Sequence, residues 1–172
     1  PFAIPPIDHP SPLRTERVAE RLGVSAGDVL ICSTGLIGDQ LDRAKVLAGV
    51  DAAVQALHED GGFDASEAIM TTDSKPKRSV RKGEGWSIGG MAKGAGMLAP
   101  GLATMLVVIT TDAHLSSEVL DQTLREATRV TFDRLDSDGC MSTNDTVALM
   151  ASGASGITPS VEEFQFVLTA VC

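Results

Sequence analysis

Tyrosine is absent from this 172-residue chain, and the other aromatics amount to Trp86 and five phenylalanines. So few ring faces leave little on which unpaired bases could stack, which argues against a single-strand nucleic-acid platform. The core must therefore be aliphatic. Basic side chains are in deficit, 14 Lys and Arg against 23 Asp and Glu, for a formal net charge of −9. Such a surface repels phosphate backbones, which are bound through clustered cations. The one basic cluster, Lys75, Lys77, Arg78, Arg81 and Lys82, has Pro76 inside it and Gly83-Glu-Gly85 behind it, and reads as a solvated hairpin or arm. Cysteine is sparse as well. Cys32, Cys140 and Cys172 are an odd number without metal-ligand spacing, which disfavours a disulfide framework and points to a reducing, cytoplasmic setting. His9, His58 and His114 are scattered and form no ligand pair. No apolar run approaches the roughly 20 residues that span a bilayer.

What is present is ordinary for a globular chain, with 43% hydrophobic and 22% charged residues. The length suggests one domain. After a proline-rich lead-in over residues 1–10, Ser11-Pro12 reads as a helix start, with Val18, Ala19 and Leu22 on one face and Gly23 as the stop. Asp28-Val-Leu-Ile-Cys32 reads as a short buried strand that breaks into the turn Ser33-Thr-Gly35. Spacings of three or four from Leu41 to His58 predict an amphipathic helix or a close pair divided at Gly49, closed by Gly61-Gly62. A short helix over Ala65–Met70 would deliver Thr71-Thr72-Asp73 to a loop, and a strand or hairpin would follow through Val80 and Trp86–Ile88. Met105–Thr110 and Val147–Met150 are core strand candidates. A helix capped by Ser116 or Ser117 would show Leu120, Leu124, Ala127, Val130 and Leu135 on one face. Ser160 with Glu163 forms a capping box for a last helix bearing Phe164, Val167, Leu168 and Val171. Strands separated by helices indicate an α/β chain.

The most informative stretch is Met91-Ala-Lys-Gly-Ala-Gly-Met-Leu-Ala-Pro-Gly-Leu-Ala-Thr-Met-Leu106, a glycine-rich loop that delivers Thr104 to the head of a hydrophobic strand. Its Gly94-Ala-Gly96-Met-Leu-Ala99 matches a dinucleotide fingerprint in letters only. That motif needs a strand before it and a helix behind it, and Pro100 and Gly101 block the helix. A connecting loop remains one reading. The other is nucleophilic: cutting the Ala103–Thr104 bond would place a new α-amine, of pKa about 7.7–8.0, beside the threonine hydroxyl as its base. Asp136-Ser-Asp138-Gly139 fails as a calcium loop, because Arg134 would fill the first ligand position. Those aspartates shape a turn better than a metal site. Cys32, in an apolar segment without a partner histidine, reads as inert core.

Residues Met91 to Ala113 closely resemble the signature around the self-cleavage site of the ornithine acetyltransferase family, the bifunctional glutamate N-acetyltransferases of arginine biosynthesis. Three further segments match in order: Cys32-Ser-Thr-Gly-Leu-Ile-Gly38, Ile69-Met-Thr-Thr-Asp73, and Ser142-Thr-Asn-Asp-Thr146 behind Asp136 and Asp138. The match runs from about Leu30 onward. Family members are more than twice this length and Pro1 is no initiating Met, so the chain is read as an internal fragment or a truncated gene product.

The resemblance implies a layered α-β-β-α sandwich, present here in part, with residues 1–103 resembling the end of an alpha subunit and residues 104–172 the start of a beta subunit. It assigns Thr104 as nucleophile, Ala103 and Thr104 as the cleavage pair, and Thr34 and Gly35 as oxyanion donors. It further assigns Thr71 and Lys93 to substrate binding. The implied substrates are N-acetyl-ornithine and glutamate, with acetyl-CoA as a further donor. The complete assembly would be a heterotetramer of two alpha and two beta subunits, without nucleic acid, membrane, metal or bound cofactor. Two rivals stand beside this reading. One is an amidohydrolase or aminopeptidase of related fold that gives the acyl group to water; the other is a catalytically incomplete fragment.

Overall fold

A computed structural model of the chain describes residues 11–34, 39–94, 104–135 and 144–172. These divide into two compact units, Pro1–Gly61 and Gly62–Cys172.

The first unit is built on two helices, α1 (Ser11–Leu22) and α2 (Arg43–Gln55). Helix α1 ends before Gly23, with the Val24 N–H donating to Ala19 O at 3.1 Å. Helix α2 is capped by Asp42, whose carboxylate accepts from the Lys45 N–H at 3.1 Å. It is one helix and not a pair: Gly49 lies inside it, where a lone glycine costs only about 1 kcal/mol relative to alanine. Asp51 ties α1 to α2. One carboxylate oxygen accepts from Arg17 Nη2 and the other from Arg21 Nε, both at 2.7 Å. The expected strand over Asp28–Cys32 does not form. Asp28 closes a 3-10 turn begun by Ser25 and Leu30 is 55% exposed. An apolar run becomes a strand only when a neighbour completes its ladder, and the described residues of this unit supply none.

The second unit opens with α3 (Gly62–Ala68), half a turn or more ahead of the predicted position. Gly62 starts this helix rather than closing the one before, and Ile69 and Met70 donate back to Ala65 and Glu67 as the helix runs out. Strands β1 (Lys77–Lys82), β2 (Ser87–Lys93), β3 (Leu106–Thr111) and β4 (Thr146–Ala151) form one sheet in that order. The first three are antiparallel and β4 runs parallel to β3. A parallel neighbour requires a crossover, here supplied by α4 (Ser117–Val130). Ser116, not Ser117, caps α4. The chain then leaves the helix at Thr131, whose hydroxyl donates to Ala127 O at 2.6 Å. Leu135 therefore falls off the predicted apolar face and is 69% exposed.

Because strand side chains alternate, the register sorts Ile88, Val107 and Ile109 onto one face. Helices α4 and α5 (Val161–Val171) cover it, and these three residues join Trp86, Ala113, Ala127, Phe164 and Leu168 in the core. The β1–β2 turn locks onto α5. Trp86 Nε1 donates to Glu163 Oε1 at 3.0 Å, and its ring lies 5.4 Å from that of Phe164. Gly83 has no alternative here, since a Cβ would stand 2.1 Å from the indole. Only half of the predicted capping box exists. Ser160 Oγ accepts from the Glu163 N–H at 3.1 Å, but the Glu163 carboxylate turns to Trp86 and the Glu84 N–H.

Phe164 and Phe166 share α5 yet are 0% and 77% exposed. Replacing Phe164 with Ala should cost about 3–5 kcal/mol, whereas Phe166→Ala should cost less than about 1 kcal/mol. Urea unfolding followed by circular dichroism measures both; equal losses would contradict this packing of α5.

Candidate functional site

Lys93 is the last residue of β2 and pairs with Leu106, the first of β3. The pleat puts it on the face opposite Ala92, which packs against the core. The side chain is nonetheless 1% exposed, and its Nζ donates to the carbonyl oxygen of Thr104 at 2.5 Å. Burial lowers the Lys93 pKa, while the nearby carboxylates of Asp73 and Asp145 push it up and Lys77 pushes it down.

Asp73 organises the neighbouring backbone. It is 8% exposed, and Oδ1 accepts from the Gly94 N–H at 2.8 Å and from Lys77 Nζ, while Oδ2 accepts from the Thr71 N–H at 3.3 Å. Gly94 presents its N–H at φ +149°, a conformation that favours glycine. Burial opposes ionisation of Asp73, but Lys77 and the two backbone donors outweigh it and hold the carboxyl at about 2.

Thr104 is half-buried just ahead of β3. The next N–H, that of Met105, donates to Asp145 Oδ1 at 2.8 Å, and Met105 O accepts from the Thr146 N–H at 3.0 Å. Both groups of the Thr104–Met105 peptide are thus engaged, the carbonyl by a lysine and the N–H by an aspartate. Of the residues named from sequence, Lys93 bonds the Thr104 carbonyl, while exposed Thr71 enters only through its backbone N–H on Asp73, whose charge also acts on Lys93. Thr34 lies in the other unit, half-buried beside Ser33, whose hydroxyl accepts from Arg14 Nη1 at 3.0 Å. Gly35, Ala103, Asp136 and Asp138 lie outside the described residues.

Sequence reasoning gave no role to Asp73, Asp145 or Lys77. Asp73 and Asp145 sit inside matching motifs, which was the available signal; Lys77 was grouped with a solvated basic run. The described structure divides that run. Lys77 pairs with buried Asp73, Arg78 lies over the Phe63 ring at 4.1 Å, and Arg81 and Lys82 remain exposed on β1.

A strand-head threonine with a buried lysine on its carbonyl is the candidate centre of the site. A model of the ArgJ family matches residues 13–172. The "Arginine biosynthesis bifunctional protein ArgJ" of Streptomyces coelicolor is 62% identical over 157 residues, 91% of this chain and 41% of the relative. The proteins of that name from Thermobifida fusca and Bifidobacterium longum are 61% and 54% identical, again over 91% of this chain and 41% of each relative. The chain belongs to the ArgJ family. It spans about two fifths of the length of these curated relatives, 41% in each case.

The depressed Asp73 pKa has a definite sign. A carboxyl at about 2 in the folded protein against the ordinary aspartate value of 3.8 adds stability above pH about 4, lost as pH falls towards 2. Asp73→Asn should therefore cost roughly 2 kcal/mol at pH 7 and flatten the acid limb between about pH 4 and 2. An unchanged acid limb in denaturant titrations would refute this role.

Proposed function

We propose that this chain carries the self-cleaving centre of an acetyltransferase of arginine biosynthesis, moving acetyl from N-acetyl-ornithine to glutamate through an ester on Thr104. The observation that carries the reading is the placement of Thr104: half-buried at the head of β3, with its carbonyl held by buried Lys93. Membership of a family whose members are named bifunctional proteins of arginine biosynthesis supports it.

In the precursor the Thr104 hydroxyl attacks the Ala103 carbonyl carbon. The C–N bond breaks, the nitrogen takes the proton, and the acyl group passes to oxygen. Water then hydrolyses that ester, freeing a carboxylate on Ala103 and an α-amine on Thr104. With a pKa of about 7.7–8.0 the amine is a suitable base for the adjacent hydroxyl. The hydroxyl takes acetyl from N-acetyl-ornithine, releases ornithine, and passes acetyl to glutamate; acetyl-CoA serves as a further donor. Thr34 and the Gly35 N–H stabilise the tetrahedral oxyanions. Thr71 and Lys93 belong to the substrate site, where a cation suits the α-carboxylates of both amino acids.

Cleavage would assign residues 1–103 to the end of an alpha subunit and residues 104–172 to the start of a beta subunit, two of each assembling in the cytoplasm. The α-β-β-α layering has support in the second unit. Val80 and Met150 are 63% and 40% exposed, and the alternation of β1 and β4 puts both on the sheet face opposite α5. A second sheet would cover them.

In the full-length protein carrying these residues, Thr104→Ala should remain a single uncleaved band on a denaturing gel, and Thr104→Ser should retain some processing. The processed enzyme, given N-acetyl-ornithine without glutamate, should gain one acetyl mass on the Thr104-led subunit and lose it when glutamate is added. Thr34→Ala should slow turnover by about 10²–10³. Two-band processing of Thr104→Ala would remove the nucleophile assignment. Acetyl release to water regardless of glutamate would favour an amidohydrolase instead.

A further inference from the structure

We propose that Asp145 is a positioning residue for Thr104: together with Lys93 it clamps the Thr104–Met105 peptide and so fixes the position of the Cα that carries the nucleophilic side chain. The inference rests on the reading of Thr104 as nucleophile. Lys93 Nζ donates to Thr104 O at 2.5 Å, and the Met105 N–H donates to Asp145 Oδ1 at 2.8 Å. A peptide group is planar, so partners on its oxygen and on its N–H together set the orientation of the whole plane. Both bonds involve a charged side chain, which makes them roughly twice as strong as neutral ones.

The anchors are themselves mounted on the sheet. Lys93 ends β2 in register with Leu106, and Asp145 immediately precedes β4, where the Thr146 N–H donates to Met105 O at 3.0 Å. Thr104 is therefore bracketed by its neighbour on each side, β2 and β4, while the bond at Ala103–Thr104 lies outside the clamp. Attack on a carbonyl needs reacting atoms about 3–3.5 Å apart, and a misplacement of 1 Å can lower the rate about 10²-fold. Asp145 has a second effect through Lys93. Burial lowers the lysine pKa, Asp73 and Asp145 raise it, and Lys77 lowers it. Only the protonated ammonium donates to Thr104 O while carrying its charge. Asp145 thus helps keep the other jaw of the clamp closed as pH rises.

The test uses the full-length protein and two variants. Asp145→Ala removes the acceptor, and should slow both precursor cleavage and acetyl transfer by roughly 10- to 100-fold with little change in KM for glutamate. Asp145→Asn keeps an acceptor oxygen and should recover most of the rate. Having lost the charge, it should also bring the alkaline fall in activity to lower pH, which a merely structural role would not do. If Asp145→Ala does not fold, the pH profile of Asp145→Asn decides alone. Wild-type rates in Asp145→Ala, or an unmoved alkaline limb in Asp145→Asn, would overturn the proposal. Thr104→Ala separates the two levels. If that variant is still processed, the nucleophile reading fails; if it stays whole while Asp145→Ala behaves as wild type, only the clamp fails.

Discussion

The site depends on a lysine that cannot face water. Lys93 is buried at the end of β2, and an ammonium in that position is tolerated only with partners. Its carbonyl acceptor on Thr104 and the carboxylates of Asp73 and Asp145 supply them, with Lys77 as the opposing cation. The register makes this arrangement possible. Lys93 stands opposite Leu106, so Thr104, two residues earlier on that strand's approach, is a diagonal neighbour within reach of a long side chain. A one-residue slip would turn Lys93 towards the face that holds Val107, Ile109 and Phe164. Burying a charge among those side chains would cost several kcal/mol. Core packing and site geometry therefore fix the same register.

The opposite end of the β1–β2 hairpin shows the same economy. Trp86 closes the turn, packs on Phe164 and spends its one N–H on Glu163. Asp112, just past β3, accepts from both the N–H and the hydroxyl of Ser87 at the start of β2, at 2.6 and 3.0 Å. These donors lower the Asp112 pKa, the Ser87 N–H foremost, against the opposing effect of burial. The β2–β3 pair is thus tied at one end by Asp112 and at the other by Lys93, and the strand that leads from Thr104 is held along its length.

Much of this second unit was legible in the sequence, because its signals are local. The apolar run after Thr104, the face of α4, the Ser160 cap and the hairpin around Gly83-Glu-Gly85 each state their period or turn within a few residues. The threonine and the lysine were named through a motif, and the structure joins them by one hydrogen bond. What escaped depends on partners far along the chain. Asp73 reaches Gly94 across 21 residues, Met105 reaches Asp145 across 40, and Glu163 reaches Trp86 across 77. Nothing in Ser142-Thr-Asn-Asp-Thr146 states which backbone N–H its aspartate will meet. The missing strand at Asp28–Cys32 fails for a related reason: its letters are right, but a ladder needs a second chain segment.

The placement of these contacts around the proposed cut has a consequence for the product. Strands β1 and β2, Lys93 and Asp73 would belong to the piece ending at Ala103, whereas β3, β4, Thr104 and Asp145 would belong to the piece beginning at Thr104. The ladder between β2 and β3 crosses that division, as do the Ser87–Asp112 and Trp86–Glu163 hydrogen bonds and the contact of Trp86 with Phe164. None of them uses the Ala103–Thr104 peptide. Hydrolysis there would remove one covalent link from a sheet whose hydrogen bonds and core remain intact, so two chains would stay associated without a new interface. The clamped Thr104–Met105 peptide lies beyond the scissile bond as well, with Lys93 supplied by the first piece and Asp145 by the second. The threonine that leaves the precursor with a free α-amine would then be held by the same two side chains that held it before. Only one part of its surroundings would change: the amide nitrogen that had been part of the substrate becomes the base for the hydroxyl beside it.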